Sequence, residues 1–196
     1  MKRLSTVAAA AALIVGVLGL TTSAQRGPAF TTLFDGKNLD AFNKVGDANW
    51  TIVDGAVQAD KGMGGYLVTK QPYGDFEIKA EFWVDTPANS GIFIRCANPQ
   101  MPGGDTCYEV NIYDTRPDPA YATGAIVNVA KVATPIKAAG KWNTYEIRAQ
   151  GSHMVVTLNG VKTVDVEDGK HARGPFALQY GAGVVKFRSV QVRPLG

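Results

Sequence analysis

Phe76-Glu77-Ile78-Lys79-Ala80-Glu81-Phe82-Trp83-Val84 alternates apolar and polar side chains along its length, Trp83 excepted. Successive side chains of a strand point to opposite faces. Phe76, Ile78, Ala80, Phe82 and Val84 are therefore expected on one side, with Glu77, Lys79, Glu81 and Trp83 on the other. This is the pattern of a half-buried strand. Similar readings fit 50–53, 56–59, 65–69, 91–97, 108–114, 125–131, 144–150, 153–158, 161–166, 176–181 and 184–193. Asp54-Gly55 and Asn159-Gly160 each sit between two such runs, the short-range signal for a two-residue hairpin. No apolar stripe of helical spacing persists beyond about two turns, so the expectation is one all-β domain, a sandwich or a barrel.

The N-terminus reads differently. Lys2 and Arg3 precede an uncharged run from Val7 to Leu20, and Thr22-Ser23-Ala24 supplies small residues suited to signal peptidase. A cleaved leader over 1–24 and a mature domain over 25–196 are expected, hence export to the periplasm or the cell exterior. An uncleaved anchor is the alternative, but the run is short for a bilayer span, and with no other segment long and apolar enough to cross, no membrane association is expected after cleavage. The formal charge of +3 falls to +1 once Lys2 and Arg3 are removed. A near-neutral chain without basic runs argues against nucleic acid as a partner. Cys96 and Cys107 are the two cysteines. In an exported chain they are expected to form one disulfide, free buried thiols being the alternative.

Strand parity also sorts polar residues. Burying Ile92 and Ile94 turns Arg95 outward, and burying Val110 and Ile112 turns Glu109, Asn111 and Tyr113 outward. With Glu81 and Trp83, these residues are expected to share one polar sheet face. Carboxylate, amide and guanidinium groups hydrogen-bond sugar hydroxyls directionally, and aromatic rings cover the apolar face of a pyranose. An ordinary cross-strand ion-pair ladder would use the same residue types. Gln179 and Arg188 have ambiguous parity: Val190 and Val192 share the parity of Arg188 although Phe187 is expected inside, a conflict that a β-bulge would resolve.

Other chemistries lack their signatures. Gly62-Met63-Gly64-Gly65 is not followed by the Lys-Ser/Thr pair of a phosphate loop, and there is no Gly-x-Ser-x-Gly elbow. His153 and His171 have no second ligand at a metal-site spacing, and an oxygen-only Ca²⁺ site, the alternative left open, has no Asp-rich loop of recognisable spacing to support it; no metal or other cofactor is expected.

Taken together, Leu33-Phe34-Asp35-Gly36-Lys37-Asn38-Leu39, Trp50 to Gly55, Tyr73-Gly74-Asp75-Phe76-Glu77, Asn89 to Arg95, Tyr108 to Asp114, Gly140 to Ile147, Leu158-Asn159-Gly160, Gly174 to Gln179 and Val185 to Arg188 follow one another in a specific order. In this the chain from about Phe30 to Leu195 resembles the 3-keto-disaccharide hydrolase domain family. The resemblance implies a concanavalin A-like jelly-roll sandwich of two antiparallel sheets, glycan binding on a concave face, and hydrolysis of 3-keto-glycosides. It also implies that Arg95, Glu109, Gln179 and Arg188 belong to the site. The sequence departs from the family pattern at Asn111, where Gln is usual, at Val127, where Tyr is common, and at Ser189, where Asn is usual. Leu178-Gln179-Tyr180-Gly181 also lacks the Asp-His pair that often follows Leu-Gln.

The expectation is thus an exported carbohydrate-active hydrolase with Glu109 as catalytic acid or base. Glu81, Trp83, Arg95, Asn111, Tyr113, Gln179 and Arg188 are expected to bind an oxidised disaccharide or glycan. A non-catalytic, lectin-like carbohydrate-binding module is the alternative of a different class.

Overall fold

The computed structural model describes residues 28–195, so the leader expected over 1–24 lies outside the described residues. Two antiparallel sheets pack face to face. The strands in chain order are β1 (Thr31–Phe34), β2 (Phe42–Gly46), β3 (Thr51–Val53), β4 (Ala56–Ala59), β5 (Gly65–Thr69), β6 (Phe76–Val84), β7 (Asn89–Ile94) and β8 (Tyr108–Ile112), followed by β9 (Trp142–Gln150), β10 (His153–Leu158), β11 (Val161–Glu167), β12 (Ala177–Ala182) and β13 (Val185–Pro194). One sheet runs β11-β10-β9-β6-β13-β4-β3, with β1 also on β13; the other runs β2-β5-β12-β7-β8. The architecture is the expected all-β jelly-roll sandwich.

The alternation in β6 explains its place. Phe76, Ile78, Ala80, Phe82 and Val84 are buried, whereas the residues between them are at least partly exposed. They meet Ile92, Ile94, Val110, Ile112, Leu67 and Leu178 from the other sheet in one continuous core. Phe82 stacks on Tyr145 of β9 with ring centroids 4.9 Å apart. The Tyr145 hydroxyl crosses the core and donates to the Asn111 carbonyl at 2.6 Å, fixing β8 against the opposite sheet. An unpaired phenol there would carry a desolvation cost, so this bond also specifies how the layers align.

Both expected hairpin turns are present. Asp54 and Gly55, and Asn159 and Gly160, all have positive φ, the backbone a type I′ turn requires. Cys96 and Cys107 are joined in a disulfide spanning 11 positions. The sequence reading differs from the structure in three stretches. The segment expected as a strand over 125–131 is a turn held by isolated bridges, with Ile126 pairing to Val110 and Ala130. Two strands without clear alternation, β1 and β2, are added at sheet edges, where pairing partners rather than patterning define them.

Candidate functional site

Sheet membership divides the polar residues that parity had placed on one face. β6 lies in the larger sheet and β7 and β8 in the five-stranded one. Glu81, Trp83 and Arg188 therefore occupy the outer face of the larger sheet, and Glu109 and Asn111 the outer face of the other. The expected single face is corrected to two, on opposite sides of the sandwich. Alternation fixes a side chain's face within its strand but not the sheet the strand joins.

On the larger sheet, Arg188 Nε donates to Glu81 Oε2 at 2.7 Å, and its guanidinium stacks 4.3 Å from the Trp142 ring centroid. Lys186 lies 5.0 Å over Trp83. The parity conflict in β13 is resolved as a bulge: Phe187 pairs with Phe82 and Ser189 with Glu81, leaving Arg188 as the extra residue. This is an exposed ion-pair ladder of the kind solvated sheets carry.

Arg95 lies on neither outer face. It follows the last residue of β7 with φ of 53°, which turns its side chain inward, and it is 1% exposed. Its guanidinium donates to Gly74 O at 2.9 Å, Gly151 O at 2.7 Å, His171 O at 3.3 Å and Asp75 Oδ1 at 3.1 Å. Asp75 Oδ1 also accepts from Gly151 N at 2.9 Å. Arg95 thus ties the end of one sheet to loops of the other. The alternation that pointed it outward ends one residue before it.

The remaining residues converge. In the five-stranded sheet Tyr66 pairs with Gln179, Gln179 with Gly91, and Gly91 with Asn111, making one transverse row on the outer face. The next row holds Val68, Ala177, Phe93 and Glu109. Val68, Phe93, Ala177 and the Cys96–Cys107 disulfide form a small apolar cluster against which Tyr66 packs, its ring edge-on to Phe93 at 5.4 Å. Gly91 opens a gap between the polar side chains. A β-carbon at this position would stand 3.5 Å from Glu109 Cγ and 3.6 Å from Gln179 Oε1.

The electrostatics of this row are lopsided. Burial pushes the Glu109 carboxyl up to about 7, no cationic partner offsetting it. Burial raises the Tyr66 phenol, opposed by a hydrogen bond from the Gln179 side chain, and the nearby Glu109 charge raises it further. Gln179 Oε1 and Asn111 Oδ1 are buried without hydrogen-bond partners, while Asn111 Nδ2 donates to Tyr121 O at 2.5 Å. Hydrogen bonds to the main chain anchor the strands that carry these side chains. Ser90 Oγ donates to the Gln179 carbonyl at 2.7 Å, and Val127 N to the Glu109 carbonyl at 3.0 Å. Tyr113 follows β8 with the parity of Glu109 and Asn111, and Arg116 stacks on its ring.

One half-buried carboxyl and two unpartnered amide oxygens therefore surround a glycine gap. Buried acceptors without partners are costly in isolation, and a ligand rich in O–H donors would satisfy them. Among the described residues no group of three His, Cys, Asp or Glu side chains is arranged to hold a metal ion. Tyr66 and Gly91 belong to this candidate site, and the sequence reading does not include them. Burying Leu67 would have turned Tyr66 outward, but nothing in the sequence sets β5 two strands from β7.

Comparison with known proteins adds the following. A family model described as the 3-keto-alpha-glucoside-1,2-lyase-like domain matches residues 29–193. A 3-keto-disaccharide hydrolase of Bacteroides thetaiotaomicron is 33% identical over 76 aligned residues, covering 33% of this chain and 26% of that protein's length. Two Parabacteroides distasonis structures assigned as glycosyl hydrolases superpose with TM-scores of 0.76 and 0.72, at 18% and 25% identity. Each alignment covers 85% of this chain, with 94% and 100% of the respective structures. The carbohydrate-binding module CBM66 of Bacillus subtilis shares the fold, with a TM-score of 0.62 at 16% identity over 78% of this chain and 95% of the module.

Proposed function

We propose that this chain, which belongs to the 3-keto-alpha-glucoside-1,2-lyase-like domain family, cleaves the glycosidic bond of 3-keto-glycosides on the outer face of its five-stranded sheet. At the coarser level it is a glycosyl hydrolase-like, carbohydrate-active protein. The observation that carries the finer reading is the desolvated Glu109 beside the unpartnered oxygens of Gln179 and Asn111. The acceptors orient sugar hydroxyls, and a carboxyl near 7 is half ionised at neutral pH, suited to take up and return a proton.

A carbonyl at C3 acidifies the C2 proton, and the glycosidic oxygen leaves from C1. Glu109 removes the C2 proton, the electron pair of that bond forms the C1–C2 double bond, and the C1–O bond breaks. The departing oxygen takes a proton from a neighbouring donor, for which the Tyr66 hydroxyl is the candidate. Addition of water across the new double bond makes the net reaction hydrolysis. One carboxylate suffices for this route. The two-carboxylate mechanism needs groups within about 10 Å of one another, whereas Glu81 and Glu109 point away from each other across two sheets packed about 10 Å apart.

Running the reaction in D₂O tests the proposal. It predicts deuterium at C2 of the released sugar, and cleavage without label at C2 would overturn it. The absence of the Asp-His pair after Gln179 favours one second reading, a lectin-like module that binds through the same acceptors without turnover. Calorimetric binding with no product release would select it. The disulfide is compatible with an exported setting.

A further inference from the structure

Beyond the end of β8 the chain forms a second recess of about 520 Å³, lined in part by Thr86, Asp114, Thr115, Arg116 and Lys137. Its charges do not cancel locally. The Asp114 carboxylate is occupied within the protein: Oδ1 accepts from Thr123 Oγ1 at 2.7 Å, and Oδ2 from Ala138 N at 2.7 Å and Ala139 N at 2.8 Å. Lys137 Nζ donates to the Asp114 carbonyl. The Arg116 guanidinium lies between two rings, 5.5 Å from the Tyr113 centroid and 5.0 Å from that of Tyr121. Among the described residues it pairs with no carboxylate.

Stacking restricts the plane of a guanidinium and leaves its edge donors free, which lowers the entropy lost on forming a bidentate contact. A planar carboxylate matches that fork. Lys137, Thr86 and Thr115 line the same recess. Tyr113, against whose ring Arg116 packs, is the first residue after β8 and four residues beyond Glu109, about 13 Å at the usual strand rise. The recess therefore lies beyond the end of the strand that carries Glu109.

We infer that this recess binds the carboxylate of an acidic sugar, a uronic acid, between Arg116 and Lys137, as a subsite of the glycan held at Glu109. The inference rests on the carbohydrate reading of that face. Calorimetry on the full chain with glucuronic acid, glucose and glucose 6-sulfate tests it. Wild type is expected to bind glucuronic acid about tenfold more tightly than glucose, from one charge-assisted contact, and more weakly as salt is raised. Arg116→Ala is expected to abolish that preference, and Lys137→Ala to reduce it, in variants whose melting temperature matches wild type. Equal affinities for glucose and glucuronic acid in the wild type would overturn the inference alone, as would a preference that survives both substitutions. Tighter binding of glucose 6-sulfate than of glucuronic acid would overturn the carboxylate assignment. Absence of binding by all three sugars would overturn this inference, and absence of binding by a 3-keto-glycoside as well would overturn the carbohydrate reading beneath it.

Discussion

Glu109 and Gln179 converge on Gly91 from either side, so that a single added β-carbon there would touch both, 3.5 Å from Glu109 Cγ and 3.6 Å from Gln179 Oε1. They reach this point from β8 and β12, strands separated by β7. Most of what is proposed for the chain depends on that convergence, and several measurements follow from it.

The pH dependence of stability reports on Glu109 without any substrate. Its carboxyl is raised from 4.5 to about 7 in the folded chain. Between those values the folded state holds a proton that the unfolded state has lost. The contribution is thus fully present below about pH 4.5 and is lost as pH rises through about 7. Glu109→Gln removes the titration, so at pH 8 the variant should exceed wild type by up to about 3 kcal/mol, a gain that vanishes near pH 4. Urea unfolding at both pH values checks this. A pH-independent difference would show that the carboxyl is not desolvated.

Gly91→Val should close the site. The β-carbon alone would come within 3.1 Å of Val110 O, and overpacking of this kind costs roughly 1–3 kcal/mol. The branched side chain would also occupy the gap between Glu109 and Gln179. Calorimetry is expected to show loss of sugar binding while circular dichroism still reports the native sheet content.

Arg95 is expected to matter for folding rather than for chemistry. Arg95→Met leaves Asp75 without its cation and frees three carbonyls that the guanidinium now holds. Asp75 is itself partly exposed, so the loss falls mainly on the freed carbonyls, at about 1–3 kcal/mol for each one left buried without a donor. Arg95→Lys should recover little, because one ammonium cannot reproduce the fork. Denaturant melts distinguish this from a substrate-binding role, which would leave stability intact.

Arg188→Ala gives the opposite contrast. Arg188 and Glu81 form an exposed pair on the far side of the sandwich, worth about 1 kcal/mol or less. Turnover of a 3-keto-glycoside should change by less than about twofold, and a loss comparable to that of Glu109→Gln would return Arg188 to the site.

How far the sequence carries the structure can be seen in these same residues. The alternation of β6, the two Gly-containing turns and the disulfide are local properties, and each is visible in its own stretch. Glu109 and Asn111 were placed correctly on the outer side of their strand by the same logic. Glu81 was also turned outward correctly, yet onto the other sheet, because strand order is set by pairings between distant segments. Arg95 shows a second limit: one residue with positive φ at a strand end reverses a side chain without altering the pattern before it. The site row depends on Tyr66, Gln179, Gly91 and Asn111 lying side by side, and that register is decided by the assembled sheet.

Turnover of a 3-keto-α-glucoside by Glu109→Gln, measured against wild type across pH, tests the central claim most directly. The account predicts a wild-type kcat/KM that breaks near pH 7, and a loss of at least about 100-fold in the variant, the scale of a removed general base. A folded Glu109→Gln variant that retained full turnover would contradict it.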